Sequence, residues 1–415
     1  MTQISSAHTT PTPRAAFVLF PIGLATALSL MGDVTLYAVL PTRFADAGIA
    51  LGAVGMILSI NRLIRLITNN AVGWFFDRLP NRRLIFLGAL ALGVLTTTLY
   101  AITTGVEALI VARLLWGLAW SGIWVGGNAL VLEAAPEAQR GHWVGIYQMW
   151  FFFGSATASF VGGVLTDAVG YRGALGIGAS ISALGAIVAF AALLARRSQA
   201  PGFVPPHAAR VSIWASLRAI TPALWAAVAA QGVNRLAAAG IVSATLGLVV
   251  QASFGTGLQV GTWQIGIASL SGILLGARTL ISVAGAPLAG KLSDRAGERW
   301  GLLTLTLILG ALGTGIVPAS NLGVLIAGTI VSALAYGGSQ ALSTALVGDL
   351  AGKHAYGKNL GLYNTAGDLG SAIGPLVAYA LLSSVGLIVI YLGCALVMLA
   401  TAGWTWTLAK KPKSP

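Results

Sequence analysis

The sequence predicts an all-α integral membrane protein with about twelve transmembrane helices in two six-helix bundles related by pseudo-twofold symmetry. Three observations carry this prediction. The 415-residue chain is 56% hydrophobic and only 8% charged, which leaves too little polar surface to cover a globule in water. A soluble chain carries roughly a quarter charged residues. Apolar runs such as 84–102 and 174–195 reach the ~20 residues that cross a bilayer. A loop pattern also recurs half a chain apart, as "GWFFDRLPNRR" at 73–83 and "GKLSDRAGER" at 290–299.

The elements follow in order from apolar length and loop punctuation. Residues 1–16 form a flexible N-terminal segment. Span 1 at 17–41 lacks a small-residue cleavage site and merges into the bundle, so it reads as a retained helix and not a removable signal. Span 2 (50–76) ends on the first copy of the repeated loop, and span 3 follows at 83–103. Spans 4 (107–133) and 5 (141–167) flank "PEAQRG", and span 6 (173–195) completes a first bundle over 17–195. A Pro-rich, basic stretch, "RRSQAPGFVPPHAAR", marks a linker over 196–220. The second bundle, 221–409, takes spans at 221–251, 262–292, 300–318, 322–349, 356–383 and 386–408, with a basic tail at 410–415.

The net charge of +13 is a topology signal and not a nucleic-acid footprint. Lys and Arg gather in alternate connections: Arg78, Arg82 and Arg83; Arg140; the linker; Lys291, Arg295 and Arg299; Lys353 and Lys358; and the tail. The remaining connections carry almost only Arg43 and Arg172. Cytoplasmic loops are the positive ones, which puts both termini inside a multi-pass protein of the cell (inner) membrane. Cys394 is the sole cysteine, and no histidine lies inside a span, so no metal centre, cofactor or nucleophile–base pair is expected and the protein is not read as an enzyme. No Gly-Lys-Ser/Thr phosphate loop supports ATP-driven pumping.

A shift of about 217 residues brings Gly73 onto Gly290, Asp77 onto Asp294 and Arg78 onto Arg295. A shift of about 216 brings Glu133 onto Asp349, Gly141 onto Gly357, Tyr147 onto Tyr363 and Gly154 onto Gly370. Two halves related in this way are a transporter architecture with its site near the bilayer midplane.

On these residues the chain resembles the major facilitator superfamily along nearly its whole length. "GWFFDRLPNRR" is similar to that family's Gly-x-x-x-Asp-Arg-x-x-x-Arg-Arg loop, and "PEAQRG" (136–141) to its Pro-Glu-x-x-Arg-Gly signature. Within the family, "DVTLYAVLP" (33–41) and "RLLWG" (113–117) resemble elements of the twelve-helix drug:proton antiporters, although Trp116 stands where Gln is usual. Their fifth-helix Gly-Pro motif is degraded to "GSATASFVGG" at 154–163, and "GSAIGP" at 370–375 is closer to it. The resemblance implies alternating access, with Arg113 as partner to Asp33.

The loop residues carry a gating expectation of their own. The N-terminus of span 11 has partial positive charge, so Asp77 can dock there and hold the cytoplasmic side closed. Arg78, Arg82 and Arg140 are candidates to pair with Glu133 or Glu137. The gating set is therefore Gly73, Asp77, Arg78, Glu133, Glu137, Arg140, Gly290, Asp294 and Arg295. The plainer reading is that the arginines are topogenic only.

Spans 3, 6, 9 and 12 hold no charge in their interiors, which matches the lipid-facing helices that the resemblance implies. The other spans hold Asp33, Arg62, Arg65, Arg113, Arg235, Arg278 and Asp368. Intramembrane charge is costly and persists facing protein or water. Arg62, Arg65 and Asn69 share one helical face, as do Arg113, Trp116, Trp120 and Trp124. Gln231, Asn234, Tyr336, Gln340 and Asn364 complete an expected cavity lining, against the alternative that the Trp stripe only packs. Burial favours a neutral acid and a nearby guanidinium favours the anion, so a carboxylate paired with Arg can bind and release a proton as the pair opens. Asp33, Arg113 and Asp368 are the proton-coupling candidates; the alternative is fixed ion pairs.

Five cavity arginines against two aspartates favour carboxylate or phosphate groups over cations. The expected function is proton-coupled export of an amphipathic anionic or zwitterionic small organic solute. An organic-anion or nutrient uptake symporter is the alternative, and a non-transporting receptor or scaffold a more remote one. The expected partners are the lipid bilayer, the solute and protons, with the chain acting as a monomer.

Overall fold

In hydrocarbon no water satisfies backbone N–H and C=O groups, so a chain this apolar meets its hydrogen bonds within helices. The computed structural model describes residues 13–78, 82–136, 139–194, 221–350 and 356–410. Residues 1–12, Glu137, the linker and the tail beyond Lys410 lie outside the described set, as does the side chain of Asp77.

Among the described residues ten helices are long and apolar enough to cross a membrane. They are α1 (Pro13–Arg43), α2 (Leu51–Arg78), α3 (Arg82–Ile102), α4 (Val106–Ala134), a 55-residue helix Arg140–Leu194, α7 (Pro222–Phe254), α8 (Ile267–Ala296), α9 (Arg299–Ile316), α10 (Leu322–Leu350) and a 54-residue helix Tyr356–Ala409. The two longest each break at one glycine in a backbone conformation L residues avoid, Gly170 (φ 79°) and Gly386 (φ 76°). We call their limbs α5 (140–169) and α6 (171–194), and α11 (356–385) and α12 (387–409).

Contacts prove that the chain reverses at each break. Along α1, Ala27 meets Gly154 and Thr35 donates to the Ala158 carbonyl at 3.0 Å, so α5 runs parallel to α1. On the far side of Gly170 the order inverts, with Met31 against Gly178 and the Leu28 carbonyl accepting from Ser182 at 3.0 Å. The second half repeats this. Gly232 meets Gly370 and Tyr379 donates to the Ala244 carbonyl at 2.8 Å, while Thr304 bonds Thr405 and Gly310 meets Met398.

Two expectations on element bounds are corrected here. The N-terminal segment is helical from Pro13, four residues earlier than the span assigned to it. The all-α architecture carries one small addition: Gly257–Val260 (β1) and Trp263–Gly266 (β2) pair antiparallel between α7 and α8. The span expected at 262–292 therefore starts at Ile267 and its predecessor continues to Phe254. The cause is local: Val260 pairs with Trp263, leaving a two-residue turn whose Gly261 has φ 60°, the positive φ that tight hairpins demand. We call this side of the molecule the hairpin face and the opposite side, carrying Arg78, Arg82, Arg140, Lys291, Arg295 and Arg299, the basic face.

The halves meet toward the hairpin face. Gly163 and Gly272 bring α5 and α8 together backbone to backbone, against Ala268 and Ser159. Gly55 of α2 abuts Pro375 and Tyr379 of α11. Toward the basic face, Gly73, Gly141, Gly145, Gly290 and Gly361 have open space where a Cβ would stand. Helices α3, α6, α9 and α12, whose arginines lie only at their ends, carry rows of exposed apolar side chains, among them Leu184, Ile187, Leu305, Leu312, Leu392 and Leu396.

Candidate functional site

α1 places Asp33 and, one turn later, Tyr37 on the face that meets α2 and α4. Arg113 of α4 is fully buried and forms an ion pair with Asp33. Its Nε donates to the Ile57 carbonyl at 2.9 Å and its Nη2 to the Tyr37 hydroxyl at 3.2 Å. Asn61 donates to Asp33 at 3.3 Å, and Tyr37 in turn donates to the Leu58 carbonyl at 2.8 Å. A buried guanidinium is tolerable when its charge and its N–H groups are both met, and here they are. Tyr37 and Asn61 escaped sequence reasoning. Tyr37 was detectable, since it lies four residues after Asp33 and so on the same helical face.

The Tyr37 ring also carries Arg62 on its face, the guanidinium carbon 4.7 Å from the ring centre. Arg62 reaches across to the other half, donating to the carbonyls of Ala239 (2.8 Å) and Ser371 (2.6 Å). Ala239 lies in a π-helical stretch of α7, Leu236–Val242, where the ordinary i→i−4 ladder is interrupted. Arg65, one turn on, lies 3.6 Å from Asp368 of α11. Both arginines, expected in the cavity lining with pairing to Asp368 or backbone carbonyls as the competing reading, are engaged as ties between the halves.

In the second half, α7 carries Gln231, Asn234 and Arg235. Asn234 donates to the Tyr336 carbonyl at 3.1 Å, and the Arg278 guanidinium carbon sits 5.6 Å from the Tyr336 ring centre. Arg235 runs alongside α11, within electrostatic reach of Asp368 and Tyr336. Asn69 and Gln340 are half-buried and Asn364 is exposed.

The tryptophan stripe is a stack. Trp116 and Trp120 lie 6.2 Å apart, Trp120 and Trp124 5.7 Å, and Phe151 of α5 packs on the latter two at 5.6 and 5.2 Å. Trp116 and Trp120 are buried while Trp124 is half-buried. Packing accounts for Trp116, which abuts Gly93.

At the basic face the repeat has matching geometry. Arg82 lies 3.9 Å from Glu133, and at the equivalent place Arg299 pairs with Asp349 and lies 3.8 Å from Asp294. Arg78 does not reach Glu133; it covers the Trp74 ring at 3.8 Å. Arg140 opens α5 half-buried, and Arg295 is exposed.

The hairpin face has an electrostatic latch that sequence reasoning missed. Asp167, at the end of α5, accepts from the backbone N–H of Ser269 in the first turn of α8 at 2.7 Å, and Arg43 of α1 holds its other oxygen at 3.3 Å. A carboxylate there meets both free N–H groups and the positive end of the helix. From sequence, an aspartate at a span end reads as an ordinary solvated loop residue. Asp167→Asn is expected to raise maleimide labelling of a Thr42→Cys reporter several-fold, because Thr42 faces Gly247 across the same closed seam. An unchanged labelling rate would remove Asp167 from the gate.

The family model of the Major Facilitator Superfamily matches residues 22–278 and 235–415. The chain is 26% identical over 367 residues to the multidrug resistance protein MdtG of Rahnella sp. (strain Y9602), covering 86% of this chain and 84% of that protein. To the MFS-type transporter ppzB of Metarhizium rileyi (strain RCEF 4871) it is 28% identical over 141 residues, covering 34% of this chain and only 29% of that protein. Among solved structures, a bacterial homologue of the human lysosomal transporter Spinster, inward-facing and unoccupied, superposes with a TM-score of 0.74 at 14% identity, covering 96% of each chain. A POT family transporter in complex with 5-aminolevulinic acid superposes with a TM-score of 0.75 at 12% identity and the same coverage. With a family match over nearly all its length and a shared fold, this chain belongs to the major facilitator superfamily and is a multi-pass membrane transporter, not an enzyme.

Proposed function

We propose that the protein is a proton-coupled exporter of an amphipathic anionic or zwitterionic small organic solute or drug, working by alternating access as a monomer. The two bundles, 17–195 and 221–409, rock about the midplane, and the basic face is cytoplasmic. With its halves in contact at the hairpin face, the carrier would load solute from the basic side. When the basic face closes, Asp77 docks on the N-terminus of α11, as Asp167 docks on α8 at the other face. The name of the MdtG relatives, multidrug resistance protein, supports efflux of drug-like solutes.

One observation carries the substrate reading. Arg113 is spent on Asp33, Arg65 on Asp368 and Arg62 on two carbonyls, which leaves the second half's Arg235 and Arg278 with no ion pair among the described residues, Arg235 being within electrostatic reach of Asp368. A buried unspent guanidinium calls for an anionic group. Asp33 is the proton carrier: protonation releases Arg113, whose remaining partners are neutral oxygens.

Reconstituted vesicles test the reading. Organic anions and zwitterions from a solute library are expected to move against their gradient when protons flow the opposite way. Dissipating the pH gradient should reduce this to facilitated exchange. Accumulation in the direction of proton flow would instead identify an uptake symporter, and tight binding of lipophilic cations alone would reject the charge argument.

A further inference from the structure

We propose that the second half holds the solute's head group by itself, in a subsite fitted to a carboxylate with a hydrogen-bond donor on the neighbouring carbon. This rests on the reading above that the solute is anionic or zwitterionic, and it says which groups the solute must carry and where they bind. The head-group class is an α-amino or α-hydroxy acid with an apolar tail.

Several buried polar atoms of the second half have no hydrogen-bond partner among the described residues. Arg278 is 6% exposed, yet its Nε and Nη2 find no acceptor. Those two nitrogens form one edge of the guanidinium and point the same way, the arrangement that grips both oxygens of a carboxylate side-on. The edge is held in place because the Tyr336 ring lies beside the guanidinium. Gln231 and Asn234 are each 1% exposed, and their Oε1 and Oδ1 find no donor. They lie three residues apart on one face of α7. The Asn234 amide is fixed by its bond to the Tyr336 carbonyl, which takes up its N–H and leaves the oxygen free. Buried polar atoms in a membrane protein are met by something, and these are a paired donor edge and an Asn234 acceptor that both adjoin Tyr336, with the Gln231 acceptor one turn back on α7 beside Gly367 of α11.

No acidic side chain of the described residues forms an ion pair with Arg278; Asp368 is turned to Arg65. A carboxylate alone would leave both α7 acceptors unmet. A bare ammonium would leave the guanidinium unmet and would be repelled by it. An ammonium next to a carboxylate meets the guanidinium edge and both acceptors, and a hydroxyl there meets the edge and one of them. The consequence is a division of labour: the first half handles the proton at Asp33, Arg113 and Tyr37, and the second half reads the solute.

Four probes with one phenyl tail separate the possibilities: phenylalanine, 3-phenyllactate, 3-phenylpropanoate and phenethylamine. Apparent affinities come from thermal-shift titration of the purified full chain in detergent. Phenylalanine and phenyllactate are expected to bind about tenfold or more tightly than phenylpropanoate, and phenethylamine not at all. Arg278→Gln should weaken all three carboxylates by about ten- to a hundredfold, with partial recovery in Arg278→Lys, which keeps the charge and loses the edge. Gln231→Leu should bring the two donor-bearing probes down toward phenylpropanoate while leaving phenylpropanoate unchanged. Should the Gln variant fail to fold, the Lys variant decides: reduced affinity supports the subsite and unchanged affinity overturns it. Carboxylates that bind wild type and both Arg278 variants equally would overturn the subsite and leave the anionic-solute reading standing. Binding of phenethylamine alone would overturn both, and silence from all four probes would overturn the subsite.

Discussion

Asp33→Asn is expected to abolish accumulation driven by a pH gradient, down to the level of protein-free vesicles, while solute exchange continues within a few-fold of wild type. Asn fills the same space and still accepts from Asn61 and Arg113, so the local geometry has little reason to change. What it cannot do is bind and release a proton. A complication is physical and checkable. Arg113 is fully buried, and removing its counter-charge leaves a cation facing only neutral oxygens, a class of change that costs about 3–5 kcal/mol. Stability of the variant must therefore be measured alongside transport, and Asp33→Glu provides a control that keeps the titrating group. Full gradient-driven accumulation by a folded Asn variant would sink the assignment of Asp33 as proton carrier. Loss of exchange together with accumulation would mean that the pair is structural.

Gly272→Val should eliminate transport by a different route, locking the hairpin face open. A Cβ at Gly272 would fall inside the van der Waals surface of the Ser159 carbonyl oxygen, and one at Gly163 inside that of Ala268. Both obstacles are backbone, which cannot rotate aside as a side chain does. Overpacking of this kind costs roughly 1–3 kcal/mol, occasionally more. A carrier that must visit both states is biased strongly by such a sum, because the state open at the hairpin face does not need the contact. The effect should be graded. Gly276→Ala meets the Ala156 carbonyl oxygen at 2.8 Å and should retain partial activity, whereas Gly176→Ala has open space and should be silent. Equal activity in the Gly272, Gly276 and Gly176 variants would show that the α5–α8 seam does not set the closed state.

Much of the fold was legible because membrane physics leaves few choices. Length, apolarity and the spacing of positive loops identify spans, and a doubled loop identifies a doubled architecture. Arg82 is among the arginines that sequence offers to Glu133, whereas the matching pair of Arg299 with Asp349 was not anticipated. What escaped was whatever depends on backbone atoms. Arg62 looked like a cavity residue because sequence shows its charge and hides its partners, two carbonyls, one of them exposed by a π turn in the run "LAAAGIV". Such a turn has no compositional signature in a row of small and branched residues. The Asp167 latch escaped for the same reason, since its acceptor role is defined by an N–H of α8 that any residue would supply. The β1–β2 pair was hidden by its position beside an apolar run, where alternation over four residues is easily absorbed into a helix.

That small hairpin has a consequence for anything that meets the carrier from outside its own bilayer. At this face α5 turns into α6, and α11 into α12, on one glycine each, so those junctions offer a protease no extended backbone to grip. Residues 255–266 do: Trp263 is 79% exposed and Val260 52%, on two short strands standing proud of the helix ends. An antibody fragment or a protease approaching the folded protein there finds its handle on the segment joining α7 to α8. That segment leads directly into α8, whose first turns supply the Ser269 N–H to Asp167 and the Gly272 contact with α5, so a ligand gripping it sits within a few residues of the closed seam.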